Sequence, residues 1–157
     1  MAMLAQGRGS LPRRGQVNTT GAWIMLEAVI EGLAVLGELD EAAKLYPLAL
    51  EAIDTGALIP RYECRLLQAV AGIAAAAGGE WEKSVEHYEA VLRLAYELPF
   101  KMEQPEVRRW YARMLIDRNS PGDRDKAREL LTEAIAMYRE IGMPKHVEMA
   151  EALLGEV

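Results

Sequence analysis

From Ala22 onward, apolar positions recur at helical spacing almost to the end of the chain, and Gly and Pro interrupt them at regular places. The stretch AWIMLEAVIEGLAVLG puts Leu26, Val29, Ile30 and Leu33 at that spacing. Thr19 or Thr20 can cap it and Gly37 ends it. A second helix is predicted from a cap at Asp40 to about Asp54, stopped by Gly56. Pro47 falls inside it and has no N–H to donate, so a kink there, or a helix shifted toward its N-terminal end, is expected. Further helices are predicted in IPRYECRLLQAVAGIAAAAGG, WEKSVEHYEAVLRLAYELP, QPEVRRWYARMLIDR, DRDKARELLTEAIAMYREIG and PKHVEMAEALL. No segment alternates apolar and polar residues well enough to predict a strand.

The same grammar is written more than once. GELDEAAKLYPLAL (Gly37 to Leu50) and GEWEKSVEHYEAVL (Gly79 to Leu92) both run from Gly-Glu through a large apolar residue to a small one. A tyrosine follows four positions later and a leucine four after that. Gly122, Ala127, Leu131, Ala134 and Ile135 repeat the spacing of Gly79, Ser84, Tyr88, Val91 and Leu92. The small residue recurs at Ala42, Ser84 and Ala127, a period of 42 and then 43 residues. Each period holds one helix pair, and self-similarity on this scale marks a helical solenoid. The small residue is needed where two helices cross closely, and the aromatic or leucine after it fills the groove beside the crossing.

The motif Gly37-x-Leu39-x-x-Ala42-x-x-x-Tyr46-x-x-Ala49-Leu50 and its two echoes resemble the tetratricopeptide-repeat superfamily. The usual period there is about 34 residues, so these hairpins are longer. Long hairpins of this kind resemble the C-terminal repeat regions of large bacterial signalling ATPases, the nucleotide-cyclase-linked group in particular. GLAVLGELDEAAKLYPLALEAI, VAGIAAAAGGEWEKSVEHYEAVLRLAYELP, QPEVRRWYARMLIDRNSPGDRDKARELL and YREIGMPKHVEMAEALL carry that likeness, which covers residues 11–157. It implies an all-α, right-handed α-α superhelix of three helix hairpins plus a C-terminal helix. It implies a non-enzymatic module that binds protein or senses an effector beside an upstream catalytic domain, as a piece of a larger regulator. No phosphate-binding G-x-x-x-x-G-K-[ST] motif is present.

Composition narrows this further. Hydrophobic residues make up 51% of the 157, enough for a real core, while aromatics are only 6%; abundant alanine favours closely packed helices over a sheet. The net charge is −6, and residues 1–22 carry Arg8, Arg13 and Arg14 without an acid, so the body is at −9. An acidic body repels nucleic acid and anionic membrane, so neither is an expected partner. No apolar run is long enough to span a bilayer, and the first residues lack a continuous apolar core of signal-peptide length. With one cysteine, Cys64, no internal disulfide forms, and a cytoplasmic location is expected.

Several features have a chemical and an ordinary reading. Ala77-Gly78-Gly79 lacks the preceding strand and following Lys of a phosphate loop and reads as a helix-ending turn. Cys64, near Arg61 and Arg65, could be a low-pKa thiol, but a half-buried inert cysteine is the simpler expectation. His87 and His146 fall on different repeats without companion ligands, so no metal and no cofactor is expected. Trp23, Trp81 and Trp110 could cage a ligand; packing at repeat junctions is the simpler reading, with Trp81 standing where Leu39 stands.

The arginines carry the most information among the polar residues. Arg61 and Arg65 are four apart, as are Arg109 and Arg113, so each pair shares a helix face; Glu27 and Glu31 form a matching acidic pair. In repeat solenoids the first helices of the hairpins line the concave side. A groove with acidic and basic ends there would hold a peptide or a small charged effector. Against this stands plain helix-surface charge, in which Glu106–Arg109 and Arg113–Asp117 neutralise one another.

Residues 1–20 are expected to form an extended arm or linker, poorly anchored at least through Gly9, and residues 21–157 the repeat domain; the alternative is that LPRRGQVNTTG packs along the first hairpin and covers its apolar face. The helix from Ala22 to Leu36 is apolar nearly all round, broken only by Glu27 and Glu31. An uncovered face of that kind predicts a homodimer of the isolated chain through its first hairpin. The competing function is a spacer or oligomerisation module with no ligand. A hidden enzyme is a third reading, for which no nucleophile–base pair is found.

Overall fold

The computed structural model describes residues 11–56, 65–98 and 100–157. All regular structure among them is helical. In chain order the helices are α1 (Thr20–Val35), α2 (Leu39–Ala43), α3 (Tyr46–Asp54), α4 (Leu67–Ala77), α5 (Trp81–Glu97), α6 (Glu103–Arg118), α7 (Asp123–Ile141) and α8 (Pro144–Leu154). Two compact units divide the chain, Met1–His87 and Tyr88–Val157, with α5 contributing to each.

Thr19 caps α1, its side-chain oxygen accepting from the Ala22 N–H. The expected second helix is broken in two. Pro47 sits in the first turn of α3, where its missing N–H costs nothing, and the chain turns at Lys44 and Leu45 before it. Asp40 does not cap this segment as expected. It lies one residue inside α2, whose N-cap is Glu38, and there its charge favours the positive helix end.

The repeat grammar is matched by local geometry. Gly37, Gly79 and Gly122 all adopt φ between 71° and 86°, the left-handed conformation that L side chains resist. Five residues after each, Ala42, Ser84 and Ala127 are each 0% exposed. Tyr88 and Leu131 are buried at the following position, whereas Tyr46 is half-buried.

In the first unit α4 is the central element, packed against α1, α2 and α3. Its sequence LQAVAGIAAAA buries all but three of its eleven residues. Alanine makes that close approach possible, because a bulkier helix would hold its neighbours farther apart. Ser84 of α5 donates its hydroxyl to the Gly72 carbonyl at 2.9 Å, and a Cβ on Gly78 would stand 3.3 Å from that of Ala43. Gly78 and Gly79 end α4 as a turn, with backbone bonds back to Ala74, Ala75 and Ala76. The N-terminal segment folds against this unit: Pro12 is buried and the Gly15 N–H donates to the Glu51 carboxylate at 3.1 Å.

In the second unit α7 packs on both α6 and α8. Val107, Trp110, Tyr111, Ala112, Met114 and Leu115 of α6 form its core with Leu131, Ala134, Ile135 and Tyr138 of α7. Tyr88 and Tyr111 stack at 5.3 Å. Burial, reinforced by Glu89, pushes the Tyr111 phenol up to about 12. The NSPGD turn closes on Asp123, which accepts from the Arg118 guanidinium at 2.6 and 2.9 Å and from the Ser120 N–H at 2.8 Å. The Arg118 bonds, against the opposing effect of burial, hold that carboxyl below its ordinary 3.8.

Candidate functional site

The charged residues selected from the sequence fall into two groups. In the first unit Glu27 is buried on α1, and Glu31, one turn on, lies 3.7 Å from the Arg65 guanidinium. An expected acidic residue and an expected basic one therefore meet, but Arg65 precedes α4, which begins only at Leu67, so it does not lie on the helix face expected of it. Arg61 and Cys64 lie outside the described residues.

In the second unit Arg109 points inward. Its Nη2 donates to Glu106 Oε2 at 2.7 Å, and its guanidinium lies 5.0 Å from the Trp110 ring centre. The Tyr138 hydroxyl donates to Glu106 Oε1, and His146 Nε2 stands 3.7 Å from that oxygen. Burial opposes the charge on Arg109, but Glu106 outweighs it and the guanidinium pKa rises. Burial first, then the Glu106 charge, raise the Tyr138 phenol far above its ordinary 10.0. Arg113 is exposed and bonds Asp117 at 3.2 Å. Arg109 and Arg113 thus share a turn but not an environment: one is held in a closed core network, the other in a surface ion pair.

A polar clasp joins three helices of the first unit. The side-chain Oε1 of Gln68 is 2.5 Å from His87 Nδ1, an arrangement that suits a ring protonated on Nδ1. Nε2 is then the acceptor for the Tyr46 hydroxyl at 2.9 Å. Burial lowers the His87 pKa below 6.5, which agrees with a neutral ring in this role. Among the described residues no three His, Cys, Asp or Glu side chains converge as a metal site.

The second unit also carries an open groove of about 490 Å³. Leu92, Arg93, Tyr96 and Glu97 of α5 line one side, Lys126, Leu130 and Glu133 of α7 the other, and Arg108 of α6 completes it. Arg108 is only 4% exposed, and three bonds fix its guanidinium: Nε to Glu133 Oε2 at 2.6 Å, Nη1 to the Gln104 carbonyl at 2.8 Å, and Nη2 to the Tyr96 hydroxyl at 2.7 Å. Tyr96 is 57% exposed, yet its hydroxyl is pinned and its ring lies 5.4 Å from the Arg108 guanidinium carbon. The arrangement offers a fixed aromatic surface beside two leucines, rimmed by charge.

Sequence reasoning missed this groove. Pairing arginines four apart selects Arg109 and passes over its neighbour Arg108, and nothing in the pattern singles out Tyr96. A tyrosine on the polar side of an amphipathic helix, between Arg93 and Glu97, is the one signal that could have found it. Of the three tryptophans only Trp110 is buried. Trp23 and Trp81 are half-buried, and Leu39, the counterpart of Trp81, is 47% exposed, so a shared packing role does not hold for that pair. No helix among the described residues is long and apolar enough to cross a membrane. Comparisons with protein-family models, curated proteins and solved structures find no match.

Proposed function

We propose that this chain is a non-enzymatic docking module that binds a segment of a protein partner, or a charged effector, in the groove of its second unit. In this reading the helices form a tetratricopeptide-like right-handed superhelix belonging to a cytoplasmic bacterial signalling regulator. The left-handed glycines at 37, 79 and 122 and the buried small residues at 42, 84 and 127 support the repeat reading. The observation that carries the docking function is Tyr96, exposed but held by Arg108. Exposed aromatics with little freedom to lose are what interface hot spots are made of, because binding then costs little side-chain entropy.

The test is selection of a random dodecapeptide library on the folded protein. Enriched peptides should bind the wild type and lose roughly tenfold or more in affinity on Tyr96→Ala. No enrichment, or peptides indifferent to Tyr96→Ala, would refute the docking reading.

A second reading is favoured by a different observation. Val35 and Leu36 at the end of α1 are 65% and 64% exposed, with Met25 and Leu39 also exposed on the same unit. We propose these residues as the contact of a homodimer, which would make the first unit an oligomerisation surface.

A further inference from the structure

The charge around the groove points to the kind of segment it takes. Arg108 and Glu133 neutralise each other inside it. Arg93 and Glu97, one turn apart on α5, are exposed, and neither side chain makes an ion pair or hydrogen bond among the described residues. Lys126, on the opposite wall, reaches Glu129 at 3.3 Å in a pair with both side chains about half exposed. Such a pair is worth little and is readily exchanged for another carboxylate. Of the charges that line the groove, Arg93, Arg108 and Lys126 are basic and Glu97 and Glu133 acidic, so the lining holds one more cation than carboxylate, while Glu129, the partner of Lys126, lies outside it. This is a small local excess of positive charge in a chain whose net charge is −6.

Between these charges the surface is apolar and preformed. Leu130 is buried at its base, Leu92 is half-buried, and the Tyr96 ring is fixed by its hydroxyl. A segment laid here buries an aliphatic or aromatic side chain against Leu92, Tyr96 and Leu130. Its flanking polar residue then falls between Arg93 and Lys126.

Resting on the docking reading above, we infer that the partner is an amphipathic segment whose apolar stripe is edged on one side by Glu or Asp. The carboxylate takes bonds from Arg93 and Lys126. Glu97 repels a second acid at the other edge, so a single acidic edge is selected over a polyacidic run. The overall acidity of the chain works against acidic ligands elsewhere on its surface.

The test uses two synthetic helical peptides with one leucine stripe in common, one carrying Glu along a single edge and the other Gln in the same places. Fluorescence anisotropy on the full chain should show the Glu peptide binding at least about tenfold tighter at low salt, with the advantage shrinking as salt is raised. In an Arg93→Ser/Lys126→Ser variant, both changes at exposed positions, the two peptides should bind within about twofold of each other. If both peptides bind the wild type equally and both are lost on Tyr96→Ala, docking stands and acid selection is overturned. If neither peptide binds while library selection still yields groove-dependent sequences, the inference is likewise overturned and the docking reading survives it.

Discussion

Tyr138 and Glu106 tie α7 to α6 inside the second unit, and the strength of that tie can be measured directly. Tyr138 is fully buried and its hydroxyl donates to Glu106 Oε1; Oε2 is taken by Arg109 at 2.7 Å. Tyr138→Phe keeps the ring, opens no cavity to speak of, and removes one donor from a charged acceptor. A bond to a charged group contributes about 1.5–3 kcal/mol net. With His146 Nε2 only 3.7 Å from the same oxygen and able to move closer, about 2 kcal/mol is expected. Glu106→Gln keeps the shape but leaves Arg109 buried without its counter-charge, a loss of the kind that costs about 3–5 kcal/mol. Both changes act on one carboxylate, so the double variant should cost about 1–2 kcal/mol less than the sum. Urea unfolding followed by Trp110 fluorescence, in a Trp23→Phe/Trp81→Phe background, reports on the second unit because Trp110 is its one tryptophan. Because burial and Glu106 raise the Tyr138 phenol far above 10.0, the coupling should persist from pH 7 to pH 9. A Tyr138→Phe protein within about 0.5 kcal/mol of its parent, or strictly additive costs, would show that the hydroxyl–carboxylate bond contributes nothing.

Other consequences follow from the same structure. Ala42→Trp and Ala127→Trp each overfill a fully buried crossing and should each cost roughly 1–3 kcal/mol; tolerance of both without loss of Tm would contradict the repeat alignment. Asp123→Asn should cost about 1–3 kcal/mol at pH 7 by weakening the Arg118 and Ser120 bonds. The Asp123 pKa is lowered by folding, so its stabilisation is present above pH 3.8 and is lost as pH falls through the folded value. Wild type and Asp123→Asn should therefore converge in acid, and a difference that stays constant with pH would count against the ion pair as its source. Sedimentation velocity at micromolar concentration should show a dimer that Val35→Glu/Leu36→Glu dissociates; a monomer in the wild type would leave Val35, Leu36 and Leu39 as plain exposed residues.

Much of the fold was legible because its signals are local. Gly37, Gly79 and Gly122 end or separate helices through their own backbone conformation, which no distant contact needs to supply. Four of the later helices, α5 to α8, begin and end within a residue or two of where capping, Pro and Gly place them. The break at Lys44 and Leu45 was half legible. Pro47 announces that a helix cannot run through it undisturbed, but whether the chain kinks or starts afresh depends on how α2 and α3 each pack on α4. Asp40 was misplaced for a related reason: a capping residue one position inside a helix start has the same composition signal as a cap.

The charged site was less legible, because spacing fixes which residues share a face and says nothing of where that face points. Glu27 and Glu31 are one turn apart, yet Glu27 is buried and Glu31 half-exposed. Arg109 and Arg113 repeat the lesson on α6. Counting formal charge therefore picks out Arg109, whose charge is neutralised in the core, alongside Arg113, which sits in an exposed surface pair. Arg108 is the instructive case. It too is buried and paired, so it offers a ligand little charge of its own, but its three bonds hold Tyr96 in place and leave Arg93, Glu97 and Lys126 as the charges that face outward. On the docking reading proposed above, the residue that orders the surface, Arg108, and the residues that would read a ligand, Arg93 and Lys126, are different ones. Substitutions separate them: loss of Arg108 should disorder Tyr96 and weaken every ligand alike, whereas loss of Arg93 should change which ligand is preferred.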